Sequence, residues 1–321
     1  MIHIILVTII IILLLVFANH FKEKFFSENI QFLEVKNACD ILKTINYSYN
    51  NLDIKLRKIT SDYKKNIYKF YCDHLLEFNN VDKKLIKWVV NGMKERLPEH
   101  LLFILKNLKF AKFQNNIEHG YPHTNKDVIF LTDGFISSLY KYYNTNNIEE
   151  AIKDIGAIII HEAVHVWQRK ETNNFNDLYK NYWKFVKVNK IYNSKELESV
   201  KRYNPDGVDT NWVFSLRGKH ILFLSIYSKE AKHIGHVDYI GIYLEKSGNK
   251  FIIPKDSKHY NLNNMDEFNY FFKDLYGNHY HPNEISAELI SIYYLKMMNI
   301  SHHNYKNIAY SNMLLWLKKL I

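Results

Sequence analysis

The sequence predicts an α+β fold, with helices and strands gathered in separate stretches rather than alternating regularly. Three observations lead there. Apolar residues recur at three- and four-residue spacing early in the chain, at Ile30, Leu33, Ile41 and Leu42, then at Leu85, Ile86, Val89, Val90 and Met93. β-prone runs cluster later, at 212–216, 220–227, 238–244 and 251–253. Between them lies one long apolar helix carrying two histidines and an acid. With 321 residues, 47% of them hydrophobic, the chain can bury a substantial core.

In chain order, residues 2–18 form an apolar run without a charged side chain, His3 taken as neutral. The run predicts entry to a membrane or secretory system. It reads as a signal peptide, with Val16-Phe17-Ala18 before a cut, or as a signal anchor forming a transmembrane helix. Lys22 and Lys24 follow it and favour a cytoplasmic downstream side, so cleavage and orientation stay open. Residues 19–108 read as a helical N-terminal region, broken at Asn50-Asn51, Asn79-Asn80 and Pro98. Cys39 and Cys72, the only cysteines, can form one disulfide in an exported chain, where Asn46 and Asn299 would head glycosylation sequons.

Residues 109–321 read as one further domain with a β-rich insertion at about 205–256. Short strands are expected at 110–113 and 128–131, around Gly120 and Pro122, then a short helix at 134–143. Asn146 or Asn147 caps the long helix, Glu149 and Glu150 fill its first turn, and Arg169 and Lys170 close it. Residues 176–203 look helical and aromatic, Pro205-Asp206-Gly207 marks a turn, and Ser247-Gly248-Asn249 fits a hairpin. Helices at 265–276, 283–298 and 305–320 complete the chain. The net charge of +10 is spread along the sequence, which suits an anionic membrane or acidic substrates, or merely keeps the protein soluble. No zinc-finger spacing, recognition helix or RNA-binding signature is present, so no nucleic-acid partner is expected.

The long helix contains His161-Glu162-Ala163-Val164-His165. Residues four apart share a helical face, so both imidazoles can take corners of a tetrahedral zinc site. Glu162 is rotated by about 100° and can stand beside the metal as general base, taking a proton from a polarised water. The bland alternative is a hydrogen-bonded histidine pair in the core. A di-iron bundle would need a second Glu-x-x-His, and the sequence has none.

A catalytic zinc needs a third protein ligand. Gln168 stands where a metzincin extension has Gly, and residues 169–172 contain no His. The best source lies more than a hundred residues downstream, where Glu284 and Glu288 share a helical face. Glu284 is the expected ligand. Glu288 is the alternative ligand or the partner of a ligand's free ring nitrogen. Glu284 also reads plainly as an acid in a helix's first turn. His233-x-x-His236-x-Asp238 is a rival ligand source, more simply a polar cluster at a strand edge. His279, Tyr280 and His281 can offer a donor to an oxyanion, His279 and His281 first, or be ordinary loop residues.

His161, Glu162, His165, Glu284 and Glu288 together resemble the zincin metallopeptidases of the gluzincin type. The local string from His161 through Val166-Trp167-Gln168 also looks like the plant and fungal basic secretory proteins. The second acid here is Glu where Asp is commoner. The resemblance implies a zincin-like domain, with a mixed sheet beside the active-site helix, and an edge strand, 128–131 being the expected one, that pairs with a peptide or protein substrate. It also implies Zn²⁺ on His161, His165 and Glu284. The alternative is a non-catalytic, membrane-associated zinc-binding or interaction protein on the same scaffold.

Overall fold

The computed structural model describes residues 30–189, 191–192, 195–206, 211–248, 250–275, 277, 279–301 and 305–320. Among the described residues the first element is a strand, β1 (Ile30–Phe32), followed by helices α1 (Val35–Leu42), α2 (Asn51–Leu56) and α3 (Ile67–Asp73), strand β2 (Leu75–Leu76) and helix α4 (Asn80–Arg96). Asn79 caps α4 in a capping box with Asp82, satisfying amides that the helix start leaves open. Then come β3 (Leu108–Phe113), β4 (His123–Asn125) and β5 (Val128–Thr132).

These strands form a mixed sheet in the order β1-β3-β5-β4, with β2 against β3. β1, β3 and β5 run parallel, while β2 and β4 run antiparallel to their neighbours. The expected helical region at 19–108 therefore contributes two strands to the sheet. Ile30 and Phe32 pair with Leu108 and Phe110, and that pairing overrides a helix-like spacing too short to define a helix. A second correction concerns the expected edge strand. Residues 128–131 lie in β5, fully buried between β3 and β4, and the edge belongs to β4. Their unbroken apolar run marks a strand covered on both faces.

The long helix begins at Ile148, capped by Asn147, passes through a π-helical turn at Ile152–Gly156 and continues as α5 (Ala157–Lys170). Gly156 lets α4 approach closely, since a Cβ there would meet the Met93 sulfur at 2.9 Å. Ile159, Ile160, Ala163 and Val164 bury one face of α5 in the core, and the histidines face away from it.

Beyond α5 the chain forms β6 (Phe185–Lys187), β7 (Ile191–Tyr192), β8 (Trp212–Leu216), β9 (Lys219–Tyr227), β10 (Val237–Tyr243), β11 (Glu245–Ser247), β12 (Lys250–Ile252) and β13 (Tyr260–Asn261). An antiparallel sheet runs β13-β10-β9-β8-β6, and β11-β12-β7 make a smaller one. The β-rich segment thus starts at Phe185 and reaches Asn261, wider than the expected 205–256. The helix expected across 176–203 gives way because Trp183 and Phe185 turn inward to pack on Phe214 and Phe272. Helices α6 (Asp266–Phe272), α7 (Pro282–Met297) and α8 (Ile308–Leu320) follow. α5 and α7 pack antiparallel. Ser291 donates to the Ala157 carbonyl at one end, and Gln168 donates to the Asn283 carbonyl at the other.

The expectation of a membrane-crossing helix needs correction. Among the described residues no helix is long and apolar enough to cross a membrane. Residues 2–18, on which the signal-peptide and anchor readings rest, lie outside the described residues.

Cys39 and Cys72 are bonded and join α1 to α3 across 33 residues of chain. Closing a loop of that length removes about 3–4 kcal/mol of chain entropy from the unfolded state. A Cys39→Ser, Cys72→Ser variant should lose about that much stability in denaturant unfolding. An unchanged midpoint and slope would refute it.

Candidate metal centre

On α5 the imidazoles of His161 and His165 point to the same side, with their Nε2 atoms 3.2 Å apart. Helix α7 brings Glu284 against them, its Oε2 lying 3.5 Å from each Nε2. Three ligand atoms from two helices thus form a nearly equilateral triangle and can hold one metal ion. Glu288, one turn further on α7, lies 3.8 Å from Nδ1 of His161, on the far side of that ring. The two acids share a helix face and meet different atoms of the same histidine.

The orientation of His165 is fixed from behind. Its Nδ1 lies 2.8 Å from Oε1 of Gln168. The Gln168 amide nitrogen donates to the Asn283 carbonyl at 2.8 Å and to the Ser286 hydroxyl at 2.9 Å. With its NH₂ so committed, Gln168 can only accept at Oε1. His165 therefore carries a proton on Nδ1 and aims its Nε2 at Glu284.

Glu284 is held by a segment with no regular structure. Residues 201–206 form a strap across the site. The strap is pinned to β9 where the Arg202 amide donates to the Ser225 carbonyl at 3.0 Å. Asn204 donates to Oε1 of Glu284 and to the Tyr280 hydroxyl, both at 2.7 Å. Asp206 accepts from the backbone amide and hydroxyl of Thr124 in β4. Arg169, at the end of α5, donates to the Asp206 carbonyl and to the Thr124 carbonyl and hydroxyl. One residue of the motif helix therefore binds the edge strand and the strap together.

Glu162 faces a cavity of about 650 Å³ shared with His161, Glu284 and Glu288. Its Oε2 is buried with no hydrogen-bond partner among the described residues. Burial, then the nearby Asp206 carboxylate, push its pKa up to about 8. Glu162, His165 and Asp206 form a second group of converging ligand atoms. Burial disfavours the charged form of His165, but the Glu284 carboxylate outweighs it and raises the imidazole to about 10. Glu284 shows the reverse: burial pushes it up, and the charge on His165 holds it well below the ordinary range.

Other expected residues lie elsewhere. His281 caps α7, its Nδ1 accepting from the Asn283 amide, and does not line the cavity. His279 is buried behind the cavity wall between Tyr239 and Phe268, where burial lowers its pKa to about 4. Neither is placed to meet an oxyanion in the cavity, whereas Tyr280 between them lines it. His233 stacks on His119 with ring centres 3.9 Å apart, lies tilted against His236 at 3.7 Å, and joins neither ligand group. Sequence reasoning named Tyr280 but missed Gln168, Asn204 and Asp206 as parts of the site. The turn signal at Pro205-Asp206 was visible, but nothing local shows which element it crosses. Comparisons with protein-family models, curated proteins and solved structures find no match to this chain.

Since His165 holds a second proton at neutral pH without a cation, metal uptake must release it. Calorimetric heats of metal binding at pH 7 should scale with buffer ionisation enthalpy, reporting proton release. Heats independent of the buffer would contradict the protonated pair.

Proposed function

We propose that this chain is a zinc-dependent metallopeptidase with a zincin-like catalytic domain, in which His161, His165 and Glu284 hold the metal and Glu162 is the general base. The observation that carries the reading is the triangle of two Nε2 atoms and one Oε2 at 3.2–3.5 Å, beside an unpartnered buried Glu162. A tetrahedral site with bonds of about 2.0–2.1 Å needs ligand atoms about 3.3 Å apart, so the side chains fit zinc with little movement. Bound there, zinc would polarise the scissile carbonyl, acidify a water and, as a nearby positive charge, favour ionised Glu162.

The chain's own groups supply the rest. Glu162 takes the proton of the attacking water at its free oxygen and delivers it to the leaving amine. Asp206 stands close to Glu162 and makes the carboxylate a stronger base. Burial pushes the Tyr280 hydroxyl well above its ordinary range, so it keeps its proton. Asn204 donates to the oxygen of that hydroxyl, which leaves the Tyr280 hydrogen for the carbonyl oxygen of a bound peptide.

The test is elemental analysis of the purified protein, followed by a chelator-sensitive assay on mixed peptides. Glu162→Gln should keep zinc and lose hydrolysis by about 10²-fold or more. Unchanged hydrolysis in that variant would sink the mechanism. Glu284→Ala should lose zinc while Glu288→Ala retains it, and the opposite result would exchange their roles. Zinc without cleavage of any peptide would favour a binding protein on the same scaffold.

A further inference from the structure

The edge of β4 is the natural place for a peptide to be recognised by strand addition. Here that edge is taken. The outward amide of Thr124 donates to Asp206, and its carbonyl accepts from Arg169. Two residues earlier Pro122 has no N–H to offer. Strand addition at Thr124 is therefore blocked, which turns attention to the side chains that line the cavity.

One side chain in the cavity wall has no counter-charge. Arg202 lines the same cavity as His161, Glu162 and Glu284. Its Nε is buried without a hydrogen-bond partner, and no carboxylate pairs with its guanidinium among the described residues. The nearby Arg57, by contrast, is fully paired, with Asp53 at 2.6 Å and Glu118 at 2.9 Å. Around Arg202 stand Tyr239 and Tyr280, their rings stacked 5.6 Å apart. The Arg202 backbone is fixed on β9, and Asn204, two residues on, grips Glu284. An extended chain spans at most about 7 Å over two residues, so the Arg202 backbone is tied closely to the residue that grips Glu284.

A half-buried guanidinium whose Nε is cut off from solvent and that has no acid beside it is a ready site for a ligand that supplies the anion. We propose that Arg202 is the anion anchor of this cavity and that the substrate is a peptide presenting a carboxylate to it, from the chain terminus or from an Asp or Glu side chain. The substrate assignment rests on the peptidase reading; the anion site itself does not. The planar fork of Arg matches a carboxylate through two parallel hydrogen bonds, and the two tyrosine rings give the neighbouring residue an apolar wall.

The experiment uses the full chain carrying Glu162→Gln, which binds without turnover, and three short peptides of one core sequence. One has a free C-terminus, one is C-terminally amidated, and one is amidated with an added Glu. Calorimetry should show the free acid or the Glu peptide binding about 10- to 100-fold more tightly than the neutral amide. Which of the two gains identifies the source of the carboxylate. Adding Arg202→Gln should collapse that ratio to near one, and Arg202→Lys should restore part of it. Equal binding of all three peptides by Glu162→Gln alone overturns the anchor, and this arm needs no change at Arg202. A ratio that persists in Arg202→Gln overturns it as well. Carboxylate preference without hydrolysis by the zinc-loaded native chain would retain the anchor and remove the peptidase. Hydrolysis without that preference would do the reverse.

Discussion

A single side-chain amide, that of Gln168, holds the two halves of the site in register. It accepts from His165 and donates to the start of the helix that carries Glu284. Because an amide has one acceptor end and one donor end, satisfying both fixes the histidine tautomer and the approach of α7 together. Ser291 closes the far end of the same helix pair on the Ala157 carbonyl. Between these clasps a partly buried imidazole, a buried imidazole and a buried carboxylate face one another, an arrangement whose desolvation cost demands firm support from behind.

The strap at 201–206 completes that support from a different direction. It is anchored on β9, on Glu284, on β4 and on the end of α5. It is also bound to the N-terminal helices, since Arg57 donates to the Tyr203 carbonyl and the Tyr203 amide reaches Asp53. The Arg57 cluster of Asp53, Glu118 and Tyr227 is buried, and losing one member of such a cluster typically costs about 3–5 kcal/mol. The N-terminal helices thus act on the site through the strap, a physical role for a region that carries no recognisable chemistry of its own.

The parts legible in the sequence were those whose signal is local. Four-residue spacing places His161 beside His165 and Glu284 beside Glu288 because a helix repeats every 3.6 residues. The antiparallel strands from Trp212 to Tyr243 announced themselves by composition, and α+β follows from that separation of elements. Hidden parts depend on contacts between distant segments. Asn204 and Asp206 lie beside a turn signal, yet their work is done on Glu284 and Thr124, some eighty residues away in either direction. β1 is three residues long and becomes a strand only because β3 lies next to it. His281 shows the opposite error: a histidine in a loop near the site invites a chemical role, but the amide of Asn283 claims it as a helix cap.

The occupied edge of β4 has a consequence for the free protein. An exposed strand edge beside an open cavity is a template on which another chain can pair and start aggregation. Asp206 and Arg169 cover the backbone groups of Thr124 with a carboxylate and a guanidinium, and Pro122 interrupts the ladder just before them. The groups that tie the site together therefore also cover backbone that would otherwise be open to pairing at the edge beside the cavity.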